Sequence, residues 1–257
     1  MIGYLAVLLG FSIVFNLLLF LIAYRYRTDK LTDISYALTF ITLGLIGAIH
    51  GTHTMATRIL AAMVCLWAVR LGGFLFIRIW HKGKDSRFNA IRNNFWSFGK
   101  FWLAQGLSVW VILIAALEGF RTLHTNFPLW CIAGVVVWFI GLALESTADI
   151  QKFHFSQVAA NKGRWIEHGV WSWSRHPNYF GEMLVWTGVY TFTIPLLPHV
   201  AVIAGVVSPL YIICLLLFVS GLPPLEKGAD KRWGDNPAYR QYKKRTSILI
   251  PWPPKKK

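Results

Sequence analysis

Residues 169–188, GVWSWSRHPNYFGEMLVWTG, place ionisable side chains at the start of an apolar segment. The polar and ionisable members between Trp173 and Met183 are Ser174, Arg175, His176, Asn178, Tyr179 and Glu182. Proline is favoured in the first turn of a helix, so a helix beginning at Pro177 would place Asn178 and Glu182 on one face. The backbone N–H groups at such a helix start attract anions. Ionisable residues near membrane depth usually mark a functional site, and an Arg–His anchor at the membrane interface is the alternative.

The loops around this run carry side chains suited to a phosphorylated nucleotide. The basic residues are Lys152, Arg164, Arg175, Lys243, Lys244 and Arg245, and the interleaved aromatic residues are Trp165, Trp171, Tyr179, Tyr239 and Tyr242. Arginine and lysine bind phosphates, and aromatic rings stack on nucleotide bases. The chain has neither G-x-G-x-x-G after a strand nor G-x-x-x-x-G-K-[ST], which excludes Rossmann and P-loop binding. An interfacial aromatic belt is the alternative, but it does not account for acids such as Asp149, Glu182 and Glu226 near these cations.

The elements that must position these side chains are apolar segments typical of membrane helices. The chain has 257 residues, of which 55% are hydrophobic and 16% aromatic, and a membrane-spanning helix needs about 20 apolar residues. Residues 1–24 lack a basic start and a small-residue cleavage site, so they are interpreted as a retained first helix. The composition predicts an all-α polytopic integral membrane protein with about seven transmembrane helices, at 2–24, 34–50, 55–80, 99–117, 127–146, 178–196 and 199–220.

The distribution of positive charge predicts the orientation of these helices. If the loops after helices 1, 3 and 5 and the C-terminal tail are cytoplasmic, they hold all but three of the 26 Lys and Arg residues. The positive-inside rule then places the N-terminus outside and the C-terminus in the cytoplasm. The same rule explains the net charge of +15, so membrane lipids are expected partners and nucleic acid is not.

Cysteine and histidine residues indicate neither a disulfide framework nor a metal site. Cys65, Cys131 and Cys214 fall singly inside apolar segments and have no CxxC spacing. The histidines are scattered, without the ligand number that zinc requires. No metal is therefore expected.

The run GVWSWSRHPNYFGEMLVW resembles the C-terminal signature of membrane reductases related to steroid 5α-reductase, in the superfamily that includes the sterol C14 and C7 reductases. Residues 148–152 (ADIQK) upstream, and Tyr239, Tyr242 and 249–251 downstream, fit the same signature in order and spacing. The loop 82–88, with Gln105 beyond it, resembles the bacterial branch of that superfamily. The resemblance covers 145–252 well and 65–110 moderately, and it implies a bacterial inner-membrane location with the cofactor side facing the cytoplasm.

The resemblance implies a seven-helix fold and NADPH as the cofactor. One domain, 1–257, would consist of a substrate half with helices 1–5 (1–144) and a cofactor half (145–257). Asn178 and Glu182 would hold the nicotinamide amide, and Arg245 would bind the 2′-phosphate at the adenosine end. The full set of implied cofactor-binding residues is Asp149, Lys152, Arg164, Trp171, Arg175, His176, Asn178, Tyr179, Glu182, Tyr239, Tyr242 and Arg245.

The implied reaction is reduction of a carbon–carbon double bond in a lipophilic enone. Hydride from NADPH would add to the β-carbon, and an acid or hydrogen-bond donor must stabilise charge on the carbonyl oxygen. Steroid reductases supply a Tyr and a Glu from the N-terminal half, whereas this chain has Trp67 in the aromatic position and no Glu before residue 118. Asp33, Tyr36 and Asp85 are the candidate replacements, although Asp33 also fits a helix N-cap.

Two other functions fit the same signature. Isoprenylcysteine and phospholipid methyltransferases share an Arg-His-Pro-x-Tyr-x-Gly run and bind S-adenosylmethionine, but they show two acids after the last helix where this chain has only Glu226. A non-catalytic lipid-binding protein with a retained cofactor pocket is the other alternative, because the Tyr–Glu pair is missing.

Overall fold

A computed structural model of the protein describes residues 2–82, 88–121 and 128–254, and these residues form helices and their connections without a β-strand. The long helices are α1 (Ile2–Arg25), α2 (Lys30–His50), α3 (Met55–Lys82), α4 (Phe95–Gly119) and α5 (Leu129–Gln157). They are followed by α6 (Pro177–Thr193), α7 (His199–Gly205), α8 (Val207–Cys214), α9 (Leu222–Trp233) and α10 (Pro237–Arg245). Short 3₁₀ turns lie at Ala159–Asn161, Gly169–Ser172 and Ile194–Leu196, and a π-helical turn at Leu215–Val219 follows α8.

Six helices among the described residues are long and apolar enough to cross a membrane: Gly3–Arg25, Lys30–His50, Met55–His81, Phe95–Gly119, Leu129–Gln157 and His199–Trp233. This agrees with an all-helical integral membrane protein and with six of the segments predicted from composition. The remaining predicted segment, 178–196, corresponds to α6, whose 17 residues fall short of the roughly 20 needed for a perpendicular span. The count of seven and the orientation of the termini stay predictions.

Helix boundaries differ from the predicted ones at two places that concern the site. Helix α5 continues to Gln157, so Asp149 and Lys152 lie on a helix and not in a loop. Helix α2 begins at Lys30, which puts Asp33 in its first turn, so the N-cap interpretation of Asp33 is wrong. Asp29 occupies the cap position, where its carboxylate binds Arg92 at 2.8 Å instead of capping the helix.

The chain forms two compact units, and the first comprises Met1–Gly134 and Val189–Ser208. Its interior is aromatic: Phe40 meets Trp67 edge-on at a centroid distance of 5.0 Å, and Phe20, Phe98 and Trp102 form a neighbouring cluster. These rings are almost completely buried. Large side chains on the other faces are exposed, as expected of helices whose outer surfaces meet lipid tails.

A hydrogen-bonded polar network crosses the apolar interior of unit 1 between α1, α2 and α4. The Asn16 amide donates to Ser12 O at 2.9 Å and to Thr39 Oγ1 at 3.0 Å. Gln105 Nε2 donates to Asn16 Oδ1 at 2.9 Å and to Ser35 Oγ at 2.7 Å. Because a backbone carbonyl only accepts, the Ser12 contact fixes the orientation of the Asn16 amide, and this in turn fixes that of Gln105. Interhelical bonds of this kind hold membrane helices in register.

The second unit comprises Val135–Gly188 and Pro209–Lys257. Within it, α5 and α6 approach through two glycines. A Cβ atom built on Gly181 would lie 2.7 Å from the Glu145 nitrogen and 2.8 Å from the Gly141 oxygen. One built on Gly141 would lie 2.6 Å from the Gly181 oxygen. Small residues allow membrane helices to pack at backbone distance, and this close approach brings the polar residues of α5 beside those of α6.

Candidate functional site

The centre of unit 2 holds an ionic cluster around Glu226, a residue of α9. Its Oε2 accepts a hydrogen bond from Arg175 Nη1 at 2.6 Å, and its Oε1 lies 2.8 Å from His176 Nε2. Lys243 Nζ, from α10, lies 3.1 Å from Glu226 Oε2 and 2.6 Å from Asp230 Oδ1. One carboxylate therefore joins the residues before α6 to two later helices. Charge-assisted hydrogen bonds of this length are among the strong polar contacts in proteins.

Arg175 has donor capacity that the cluster does not use. Its Nε atom is buried and has no hydrogen-bond partner among the described residues, while its side chain is only 11% exposed. A buried N–H group without an acceptor is uncommon and costs free energy. An acceptor from outside the chain could reach this group only if the residues that cover it move, because the Nε atom itself is buried.

The electrostatic environment favours a neutral His176 ring. Burial lowers the pKa of His176 below its usual value, and the cations Lys152 and Arg175 act in the same direction against the hydrogen bond to Glu226. A neutral imidazole that faces an ionised carboxylate through Nε2 must carry its proton there, so His176 donates to Glu226. Hydrogen bonds to Asp230 and Glu226 overcome burial and raise the pKa of Lys243, which keeps this amine charged.

We expect the lowered pKa of His176 to make the protein less stable in acid. The unfolded chain takes up a proton near pH 6.5, whereas the folded ring resists protonation until lower pH. The unfolded state then binds more protons, so the free energy of unfolding falls as the pH drops below about 6.5. Melting temperatures of detergent-solubilised wild type and His176→Gln between pH 8 and pH 5 measure this effect. The melting temperature of the wild type should fall more than that of His176→Gln between pH 8 and pH 5. An equal or smaller fall in the wild type would contradict the assignment.

The start of α6 is held by Ser174 and by the segment after α10. Ser174 Oγ accepts the N–H of His176 at 3.1 Å and donates to Leu249 O at 2.6 Å. The N–H of Arg175 donates to Ser247 O at 2.8 Å. Pro177 is the first residue of α6, as the sequence predicts. Hydrogen bonds therefore hold the backbone of Arg175 and His176, and the side chains of both residues extend from this fixed backbone to Glu226.

A second group of predicted residues lies where α5 meets the segment before α6. Asn178 Nδ2 donates to Asp149 Oδ1 at 3.4 Å, so two of the predicted cofactor-binding residues contact each other. Lys152 Nζ lies 4.5 Å from the centre of the Trp171 ring, a cation–π distance. The indole N–H of Trp171 donates to Ala148 O at 3.0 Å, and this hydrogen bond fixes the orientation of the ring.

The turn before α6 depends on one glycine. Gly169 has a φ of +60°, in the left-handed region that glycine adopts without strain. A Cβ atom there would collide with the side chain of Gln151, whose Oε1 accepts the N–H of Val170 at 3.1 Å. The upstream Gln151 of the recognised motif therefore positions the turn that carries Trp171.

The predicted adenosine-end residues of α10 are buried and already hydrogen-bonded in part. The Tyr242 hydroxyl donates to Trp171 O at 2.9 Å, and burial raises the pKa of this phenol. Tyr239 packs against Trp165 and Trp233 at centroid distances of 5.2 and 5.7 Å. The hydroxyls and rings of these two tyrosines are largely enclosed by protein.

The remaining predicted cofactor residues differ in how far they take part in this arrangement. Arg245 Nη2 donates to Glu167 Oε2 at 2.8 Å, and the Arg164 side chain is exposed. Tyr179 stacks on His176 at a centroid distance of 5.8 Å. Glu182 is partly buried one turn after Asn178 on α6. The arrangement therefore brings together the predicted residues of α5 and the α6 start, while Arg245 is held in an ion pair of its own.

The predicted catalytic residues belong to unit 1 or fall outside the described residues. Asp33 forms an ion pair with Arg78 at 3.2 Å, so its carboxylate is already engaged by a side chain of α3. Tyr36, one turn further along α2, is partly buried with its ring edge-on to Phe40 at 4.9 Å. Asp85 lies outside the described residues.

Sequence reasoning omitted the two residues that hold the ionic cluster together. Lys243 is among the basic residues that suit a phosphorylated nucleotide, and Glu226 is an acid near these cations, but the set of implied cofactor-binding residues contains neither. Glu226 follows Pro223 and Pro224 at a helix start, within a basic tail. An acid shortly after two prolines, followed by several basic residues, was the signal that could have identified it.

Comparison with known proteins gives one positive result. The model of the family described as "Protein of unknown function (DUF1295)" matches residues 19–246 of this chain. The chain matches none of the curated proteins and none of the solved structures with which it was compared.

Proposed function

The chain belongs to the DUF1295 family, and from this premise we propose that it is a membrane-bound, NADPH-dependent reductase of a carbon–carbon double bond in a lipophilic enone. The resemblance to steroid 5α-reductase implies this reaction class. A steroid or another apolar unsaturated lipid would be the substrate. When bound, NADPH would supply a hydride to the β-carbon of the enone.

The observation that carries the proposal is the buried Nε–H group of Arg175, which lacks an acceptor among the described residues. A phosphate oxygen would satisfy this donor once the residues that cover it move aside, since guanidinium groups bind phosphates through several parallel N–H bonds. Lys152 and Lys243 flank the same cluster with further positive charge. A diphosphate-bearing cofactor therefore matches the donors better than a ligand without phosphate.

In this proposal, the start of α6 binds the reactive end of the cofactor. Asn178 would use its amide and Glu182 its carboxylate to orient the nicotinamide carboxamide, because both lie on one face of α6. Asp149, in contact with Asn178, would orient that amide or accept from a ribose hydroxyl. Arg245 could reach a 2′-phosphate only after exchanging its contact with Glu167.

For the carbonyl oxygen, Tyr36 is the stronger of the two described candidates. Asp33 is engaged with Arg78 as an ion pair, whereas a phenol donates a hydrogen bond and a proton to developing negative charge. Tyr36 would act as the donor in the reduction, and Asp33 would hold Arg78.

A methyltransferase is the second candidate, favoured by the contacts of Glu226. An acid beside the Arg175–His176 pair also fits the resemblance to enzymes that bind S-adenosylmethionine. The carboxylate of S-adenosylmethionine could accept a hydrogen bond from Arg175. A non-catalytic lipid-binding protein would retain the cofactor site without turnover.

A ligand titration of the purified protein in detergent distinguishes these functions. We expect NADPH to raise the melting temperature, and NADH to raise it less because it lacks the 2′-phosphate. Ligand at 100 times its Kd stabilises the folded state by about 2.7 kcal/mol. Arg175→Lys, which keeps the charge but removes Nε–H, should weaken NADPH binding about tenfold. Gln241→Lys introduces a lysine on the exposed surface of α10. It is the control for the lysine amine that Arg175→Lys introduces.

Three results would change the proposal. Stabilisation by S-adenosylmethionine and not by NADPH would identify a methyl-transfer site. Stabilisation by NADPH without oxidation of NADPH on any enone would favour the lipid-binding protein. Equal binding of NADPH by Arg175→Lys and wild type would remove the observation on which the proposal depends.

A further inference from the structure

The last described residues, 246–254, form a segment that is bonded to the start of the site but projects apolar side chains outward. Besides the bonds from Ser174 and Arg175 to Leu249 O and Ser247 O, the N–H of Trp252 donates to Trp173 O at 3.1 Å. Three hydrogen bonds thus fix the backbone of this C-terminal segment along residues 173–175.

The side chains of the C-terminal segment alternate between covered and exposed. Ile248, Ile250 and Trp252 are 45%, 59% and 71% exposed, while Ser247, Leu249 and Pro251 are partly covered. Trp173, in the segment to which this backbone is hydrogen-bonded, is 49% exposed. Four large apolar side chains are therefore held outward by a hydrogen-bonded backbone, beside residues whose polar groups are buried. Exposed apolar side chains grouped on neighbouring, hydrogen-bonded segments are typical of an interaction surface.

Basic residues precede and follow this patch in the sequence. Lys244 is exposed at the end of α10, and the sequence ends in Lys255, Lys256 and Lys257, beyond the described residues. Tryptophan is enriched where membrane meets water, and clustered lysines are attracted to anionic headgroups. Unit 2 also contains parts of the candidate spans Leu129–Gln157 and His199–Trp233, and α10 joins the second of these spans to the C-terminal segment.

We propose that the C-terminal segment is an interfacial membrane anchor, in which Ile248, Ile250, Trp252 and Trp173 insert at the boundary between headgroups and acyl chains of a bilayer containing anionic lipid. The lysines on either side bind the headgroups. Because the backbone of this segment also bonds to Ser174 and Arg175, the anchor sets the depth at which the Arg175–Glu226 cluster faces the membrane surface.

The bilayer fits this surface better than a second copy of the chain. A homodimer interface would need a complementary apolar patch, and a cluster of lysines around it would oppose the same lysines of the second copy. Anionic headgroups instead complement these charges, and the shallow insertion of alternating side chains needs no partner of defined shape.

The position of the segment is measured by fluorescence quenching in liposomes of phosphatidylcholine and phosphatidylglycerol. In a chain with Cys65, Cys131 and Cys214 replaced by alanine, single cysteines at 250 and 252 carry an environment-sensitive dye. Gln241→Cys, exposed on α10 and polar in its surroundings, is the matched control. We expect iodide quenching at 250 and 252 about threefold or more below that at 241, and strong quenching by lipids carrying a shallow nitroxide.

Two results would overturn the proposal. Iodide quenching at 250 and 252 equal to that at 241 would place the segment in water. Protection from both iodide and lipid nitroxide would show that protein, such as a second copy, covers it. Quenching that rises toward the control value when phosphatidylglycerol is left out would support the assignment of the lysines.

A second measurement leaves the natural cysteines in place. Benzoylphenylalanine at position 252 replaces one aromatic side chain by another in the otherwise unchanged chain. On illumination in membranes it should crosslink to phospholipid, at a yield above that of the same residue at position 241. Crosslinking mainly to another protein chain would overturn the bilayer as the partner.

Discussion

Replacing Glu226 by alanine is expected to lower the free energy of unfolding by about 3 kcal/mol, because removing one member of a buried ion pair leaves the others without compensation. Arg175, His176 and Lys243 would lose their common carboxylate. The start of α6 would then be held by its backbone contacts and by the side chains of Ser174 and Asn178. NADPH binding, measured by thermal shift, should also be lost, because Arg175 would no longer be oriented.

Asp230→Ala is the matched control, since Asp230 is an acid on the same helix one turn later. It also contacts Lys243, at 2.6 Å, but its side chain is 50% exposed. Exposed ion pairs contribute at most about 1 kcal/mol. Chemical denaturation of both variants in detergent provides the comparison. If Glu226→Ala costs no more stability than Asp230→Ala, the cluster is not a structural centre of the site.

Replacing Gly181 by alanine is expected to destabilise the contact between α5 and α6 by about 1–3 kcal/mol, the cost of adding volume to a packed interior. The new Cβ would meet the backbone of Glu145 and Gly141, and backbone atoms cannot rotate away. The helices must separate, which would also pull Asn178 from Asp149. We therefore expect lower thermal stability together with weaker cofactor binding.

Gly73→Ala is the control for this substitution. Gly73 lies inside α3, and a Cβ atom there would meet nothing within 4 Å. Alanine is intrinsically about 1 kcal/mol better than glycine in a helix, so this variant should be neutral or slightly more stable. A melting temperature of Gly181→Ala equal to that of Gly73→Ala would contradict the close approach of α5 and α6.

The features that were predictable from sequence are those set by local chemistry. Apolar runs predict the long helices because about 20 such residues are needed to cross a bilayer. Pro177 predicts the start of α6, since its fixed φ suits the first helical turn. From that start, i,i+4 spacing places Asn178 and Glu182 on one face.

The features that escaped prediction depend on partners distant in the chain. Helix α5 continues past its apolar stretch to Gln157, where Lys152 and Asp149 meet the turn at Trp171 and the start of α6. Asp29 and Asp33 are both aspartates near the start of α2. They differ because Asp29 forms a buried ion pair with Arg92, which is distant in the sequence. Glu226 and Arg175 are separated by 51 residues, and no local pattern connects such a pair.

The polar network of unit 1 also constrains the order in which the helices assemble during synthesis. Asn16 finds acceptors at Ser12 on its own helix and at Thr39 on α2, so a hairpin of α1 and α2 can satisfy both amide protons before α4 is made. Among the described residues, the side-chain amide of Gln105 donates to Asn16 and Ser35. If the helices insert in chain order, α4 brings two donors to acceptors that an α1–α2 hairpin already presents.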